Sequence, residues 1–181
     1  MVINILLIFA GIVALALIVL AIVIAMRPDD FRVARTVAMA VPASKVFPHV
    51  NDFHLWQAWS PYDKRDPAMQ RTYDGAIAGT GAIYAWNGNN DVGEGRSTIT
   101  ESRANELIRI KLEFMRPFAG TNTAEFTFVP QGSGTAVTWA LIGKYNFMTK
   151  AMGLVMSMDK MIGGDFDEGL ASLKATVEAK G

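Results

Sequence analysis

Residues 5–26, ILLIFAGIVALALIVLAIVIAM, carry no polar side chain, and no Asp, Glu, Lys, Arg or His occurs before Arg27. A hydrocarbon core about 30 Å thick takes roughly 20 apolar helical residues to cross. This run is long enough, with length to spare for tilt. It splits the chain into a part suited to lipid and a part suited to water. A core helix of a soluble protein would show at least one polar stripe, and this run has none. A cleaved secretory signal is the closer rival, because Val23 and Ala25 resemble the small residues before a cleavage site. Such signals have an apolar core of about 7–15 residues with positive charge ahead of it. The expectation is therefore an uncleaved single-pass anchor over residues 1–27, a linker over 28–31 and one domain over 32–181.

That remainder is large enough for a full hydrophobic core. The chain after residue 26, linker included, holds all 17 basic and all 17 acidic side chains and is formally neutral. Neutrality argues against nucleic acid, whose phosphates select clearly basic surfaces. The chain has no Cys, which excludes disulfides, thiol catalysis and thiolate metal sites. Arg27, Arg32 and Arg35 follow the apolar run, so the positive-inside rule places the domain in the cytoplasm, on an inner or plasma membrane. A monomer is expected.

After the linker, residues 31–41 alternate with strand period, Val33, Val37, Met39 and Val41 on one face. Pro42-Ala43-Ser44-Lys45 stops that strand and opens a helix that Pro48 keeps short. A second short helical segment carries Trp56 and Trp59, and Ser60-Pro61-Tyr62 reads as loop. From Met69 the pattern is six strands punctuated by Gly and Asn. Ile108, Ile110, Leu112 and Phe114 share a face of one, Ala124, Phe126 and Phe128 of the next, and Val137, Trp139 and Leu141 of the last. One apolar and one polar face marks an antiparallel sheet. Residues 147–180 read as a long helix with the stripe Met148, Met152, Val155, Ile162, Phe166, Leu170, Leu173 and Val177. Gly163-Gly164 is expected to kink it or bring it close to the sheet. A run of strands closed by one helix predicts an α+β domain.

Few groups offer chemistry. His49 and His54, five residues apart, do not share a helix face, so a metal site with Asp52 is disfavoured and no metal or cofactor is expected. No G-x-S-x-G or phosphate-cradling Gly loop occurs, and the Gly/Asn-rich residues 88–95 are explained by a hairpin turn. Asp159 lies on the helix stripe and Glu101 shares strand parity with Ile99. Either would be a general acid or base if it faced a cavity. Because buried carboxylates are rare unless paired, an ion pair at the edge of the stripe for Asp159 and a wet strand end for Glu101 are favoured. The aromatic side chains say more. Trp59, Tyr84, Trp86, Phe114, Phe126 and Trp139 can point to one side of the sheet, with Met148, Met152 and Met156 from the helix. Each alone is ordinary core; together they would line a flexible apolar pocket.

Several segments in order carry a family likeness. They are Val41-Pro42-Ala43 before Val46-Phe47, then Trp56-Gln57-Ala58-Trp59-Ser60-Pro61, Tyr73-Asp74-Gly75, Gly79-Thr80-Gly81-Ala82 and Trp86-Asn87-Gly88-Asn89. Gly93-Glu94-Gly95, Gly134-Thr135-Ala136-Val137-Thr138-Trp139 and Gly164-Asp165-Phe166-Asp167-Glu168-Gly169-Leu170 complete the set. In this the soluble part resembles the polyketide cyclase/dehydrase-like branch of the START-related superfamily. The resemblance implies a helix-grip fold, a curved antiparallel sheet around a long C-terminal helix, with an apolar cavity between them. The aromatic and Met residues, with no convergent polar constellation among them, favour binding of a hydrophobic small molecule: a lipid, an isoprenoid or an aromatic metabolite. A cyclase or dehydratase using Asp159 or Glu101 with Tyr84 as donor stays open, as does a ligand-free interaction or stress-response module, since the superfamily is functionally mixed.

Overall fold

The computed structural model describes residues 2–145, 147–154 and 156–179. The apolar run forms one helix, α1 (Val2–Ala25), and its side chains are almost entirely uncovered by the rest of the protein. Its end is tied to the domain. Ile24 is buried, and Lys150 donates to the Ala25 carbonyl and pairs with Asp29, while Arg27 reaches the Lys150 carbonyl at 3.5 Å.

The domain opens with β1 (Asp30–Met39). Then come α2 (Ala43–Asn51), a 3₁₀ turn (Phe53–Ala58) and α3 (Pro61–Arg65). Ser60-Pro61-Tyr62, expected as loop, opens α3 instead. Pro61 sits in its first turn, where the missing N–H costs nothing and the fixed φ suits a helix. Six strands follow: β2 (Gln70–Gly75), β3 (Ala82–Asn87), β4 (Glu94–Arg103), β5 (Leu107–Arg116), β6 (Gly120–Gln131) and β7 (Gly134–Lys144). All seven form one antiparallel sheet in the order β1-β7-β6-β5-β4-β3-β2.

The C-terminal helix departs from the expected single rod. It divides into α4 (Phe147–Met152) and α5 (Met158–Glu178). Gly153 follows α4, and the Ser157 side chain caps α5 by accepting from the Lys160 amide. These are helix stop and start signals that outweigh the apolar period. The Met148 side chain and Val155 lie outside the described residues. Gly163-Gly164 does not interrupt α5; its role is close approach. A Cβ on Gly163 would collide with the Arg35 guanidinium, which crosses the helix there.

α5 lies across the sheet and buries Phe166, Leu170, Leu173 and Val177. Against it stand Val33, Ile110, Phe126, Val137 and Trp139 from the strands, and Val46, Val50, Phe53 and Trp59 from the short helices. This is a helix-grip fold. Its antiparallel register sorts the loops. Asp30 pairs with Lys144, Gln70 with Asn87 and Glu94 with Arg116. The ends of β7, β5 and β3 and the starts of β1, β2, β4 and β6 therefore share the edge where the chain leaves α1.

Candidate ligand cavity

A cavity of about 480 Å³ lies between the concave sheet face and α5. Strand alternation delivers its walls: Tyr84 and Trp86 from β3, Ile110, Leu112 and Phe114 from β5, Ala124 from β6, and Trp139 and Leu141 from β7. Met158, Met161, Ile162 and Phe166 come from α5, and Trp56 from the 3₁₀ turn. Gly95 lets Trp86 lie over β4, since a Cβ there would meet the indole ring. The rings are continuous. Trp139 stacks on Phe166 at 4.1 Å between centroids and on Phe126 at 5.1 Å, and Tyr84 stacks on Trp86 at 5.8 Å.

Of the residues expected to line a pocket, Tyr84, Trp86, Phe114 and Trp139 do so. Trp59 and Phe126 lie beneath the wall, fully buried, with Trp59 donating to the His49 carbonyl at 2.9 Å. Met152 and Met156 sit on the surface, because the break before α5 removes them from its stripe. Met158 and Met161 take their place on the wall.

Neither candidate carboxylate faces the cavity. A β-bulge between Ile99 and Glu101 reverses strand parity. Ile99 is buried, and Glu101 turns outward to Arg109, which also donates to Glu125 at 2.9 Å. Asp159 lies in the first turn of α5, exposed, and accepts from Arg35 at 2.8 and 3.1 Å. The Arg35 hydrogen bond holds the Asp159 carboxyl below its ordinary 3.8. A lowered carboxyl value contributes stability that is present above the unfolded value and is lost as pH falls through the folded one. The contribution is small, since both partners are solvent-accessible. Arg35→Gln should return Asp159 to an ordinary titration midpoint, read by NMR of its carboxyl carbon as an upward shift; an unmoved midpoint would contradict the assignment.

Apart from Tyr84, the polar groups on the wall are ones the sequence did not single out. Asp63 is buried and receives Arg71 Nε at 2.7 Å. Burial is the largest single influence on Arg71 and lowers its value, but the hydrogen bond and charge of Asp63, with smaller contributions from Tyr84 and Tyr73, together leave the guanidinium value raised. Ser60 and Ser97 are also buried there. The Tyr84 hydroxyl makes no geometric hydrogen bond, and Arg71 acts on it only weakly. Burial first, then the Asp63 charge, pushes this phenol far above its usual range, so it stays protonated at neutral pH. Nothing in Pro61-Tyr62-Asp63-Lys64-Arg65 separates Asp63 from an ordinary surface carboxylate. Its burial comes from where α3 is set down. His54 bonds Asp52 at 2.8 Å and stacks on Tyr73, in the exposed part of the 3₁₀ turn. Among the described residues no three His, Cys, Asp or Glu side chains gather as a metal site.

The geometry is that of a lined, mostly apolar pocket under a helix, and the comparisons agree. Residues 30–178 match the family of polyketide cyclase/dehydrase and lipid transport proteins, and the chain belongs to that family. Solved structures share the fold. A protein of unknown function, SA2116 from Staphylococcus aureus, superposes with a TM-score of 0.63 at 11% identity, covering 84% of this chain and 96% of its own. Protein CV1439 from Chromobacterium violaceum does so at 0.57 and 16% identity, covering 84% and 99%. The di-domain ARO/CYC StfQ from the steffimycin biosynthetic pathway does so at 0.61 and 11% identity, covering 84% of this chain and 52% of its own. No curated protein matches the sequence. At these identities the likeness establishes the fold and not an activity.

Proposed function

We propose that this protein is a membrane-anchored ligand-binding domain that takes a hydrophobic small molecule, a lipid, isoprenoid or aromatic metabolite, between its sheet and α5. The observation that carries the reading is the cavity itself. Its 480 Å³ falls in the range of about 300–1,000 Å³ usual for small-molecule sites, and most of its wall surface is contributed by rings and aliphatic chains. A void of that size lined this way favours an apolar guest over water. The family description, which includes lipid transport, supports the same class. α1 supports the anchor by length and composition, and Arg27, Arg32 and Arg35 behind it support a cytoplasmic domain. Tethering raises the concentration of a membrane-derived ligand at the pocket.

One observation favours a second reading, acid–base catalysis on the bound molecule. Asp63 and Tyr84 place an ion-paired acceptor and an unpartnered donor on the wall. The surface of the wall is otherwise mostly apolar, and neither candidate carboxylate reaches it, which ranks binding first.

The test uses residues 27–181, which contain every strand and every charge. This fragment is expected to be a soluble monomer. It should take up 1-N-phenylnaphthylamine with energy transfer from Trp56, Trp86 and Trp139. A folded fragment that takes up no probe would sink the binding reading, and an aggregated one would sink the separation of anchor from domain.

A further inference from the structure

The cavity opens at one end of the sheet, and that end carries most of the domain's misplaced apolar surface. Among the cavity's lining residues, Pro117 to Ala119 in the β5–β6 connection and Met161 in α5 are exposed, and Thr149 and Met158 are partly so, which puts the mouth between that connection and the junction of α4 and α5. Of the ten large apolar side chains exposed beyond residue 30 among the described residues, six lie in these two segments: Phe118, Phe147, Met152, Leu154, Met156 and Met161. Phe118 is 66% exposed and Met156 50%. Apolar side chains scattered singly need no explanation, but a cluster around a pocket mouth marks a contact surface.

The register says what that surface meets. Asp30, where the chain leaves α1, pairs with Lys144, just before α4, so the mouth and the anchor share one edge of the sheet. The tie is direct. Lys150, on α4, is buried and bonds both the Ala25 carbonyl at the end of α1 and the Asp29 carboxylate, while Arg27 reaches back to the Lys150 carbonyl. α4 therefore sits beside the last turn of α1. If α1 spans a bilayer, that turn lies at the headgroup level, and the rim lies there with it.

We infer that this apolar rim is a bilayer-docking surface: Phe118, Phe147, Met152, Leu154 and Met156 enter the lipid interface, and the cavity opens onto the membrane rather than into water. The inference rests on α1 being an anchor and deepens the proposed function, since it names the source of the ligand as the bilayer itself. Side chains of this kind enter the headgroup–acyl boundary through apolar burial. An exchanging ligand would then pass between lipid and cavity without crossing water.

The absence of Cys gives a clean test in the full chain. Phe118→Cys, Leu154→Cys and Met156→Cys carry an environment-sensitive fluorophore in phosphatidylcholine nanodiscs that contain a spin-labelled quencher lipid. Ile77→Cys and Val129→Cys are the controls, exposed apolar positions near the opposite end of the sheet. Ile12→Cys reports α1. The expected result is quenching several-fold stronger at 118, 154 and 156 than at 77 and 129, with blue-shifted emission, and unchanged in 1 M NaCl, where charge attraction is screened. Rim labels as weakly quenched as the controls, with position 12 strongly quenched, would overturn docking and leave the anchor standing. Position 12 unquenched would overturn the anchor and docking together. Rim quenching abolished by salt would overturn apolar insertion. The cavity reading is tested separately, by probe uptake.

Discussion

Trp59→Ala should destabilise the domain by about 3–5 kcal/mol, the range for removing a large aromatic side chain from a packed core. Trp59 is fully buried and packs edge-on against Phe126 and Trp139 at 6.1 and 5.7 Å between centroids, and against Trp56 at 5.1 Å. Its indole N–H also joins the 3₁₀ turn to α2 through the His49 carbonyl. The substitution removes all of this at once, where the short helices meet both the sheet and α5. Native domains are stable by only about 5–15 kcal/mol, so the variant should melt many degrees lower or fail to accumulate. Thermal or urea unfolding of residues 27–181 measures it. A loss below about 1 kcal/mol would mean that the ring cluster is not the keystone described.

Ala124→Phe should abolish uptake of an apolar ligand while leaving the fold largely intact. Ala124 sits on the cavity wall, paired across the sheet with Ile110 and Leu141, whose larger side chains flank it. In an ordinary packed core the added ring would force neighbours off their rotamers and cost about 1–3 kcal/mol. Here the ring has empty volume to enter, so burial of its own apolar surface offsets the strain. The two situations separate cleanly. Lost binding with near-unchanged unfolding identifies a cavity, and lost stability identifies a filled core.

The period of two along β5, β6 and β7 and the glycine-marked turns made the sheet readable, because burial on one face forces alternation. The aromatic cluster was readable for the same reason: Tyr84, Trp86, Phe114 and Trp139 stand on inward positions. Two local devices defeated the pattern. The bulge after Ile99 turned Glu101 outward, and an inserted residue leaves no periodic trace in a single strand. Gly153 and Ser157 broke the C-terminal helix and sent Met152 and Met156 to the rim, although those two residues are ordinary stop and start signals. Asp63 and Arg71 could not be read at all. They meet only because α3 lies beside the start of β2, a tertiary relation with no local signature. Arg35, first noticed as a flanking charge after the apolar run, proved to clasp α5 through Asp159 and Asp167.

Native mass spectrometry of the full chain extracted from its own membranes in mild detergent tests the central claim most directly. The account predicts a discrete adduct of a few hundred daltons on the wild-type protein (about the mass that a cavity of this class accommodates). It also predicts that Ala124→Phe, equally folded by circular dichroism, carries none. A wild-type chain that is bare in every preparation, or an adduct retained unchanged by Ala124→Phe, would contradict it.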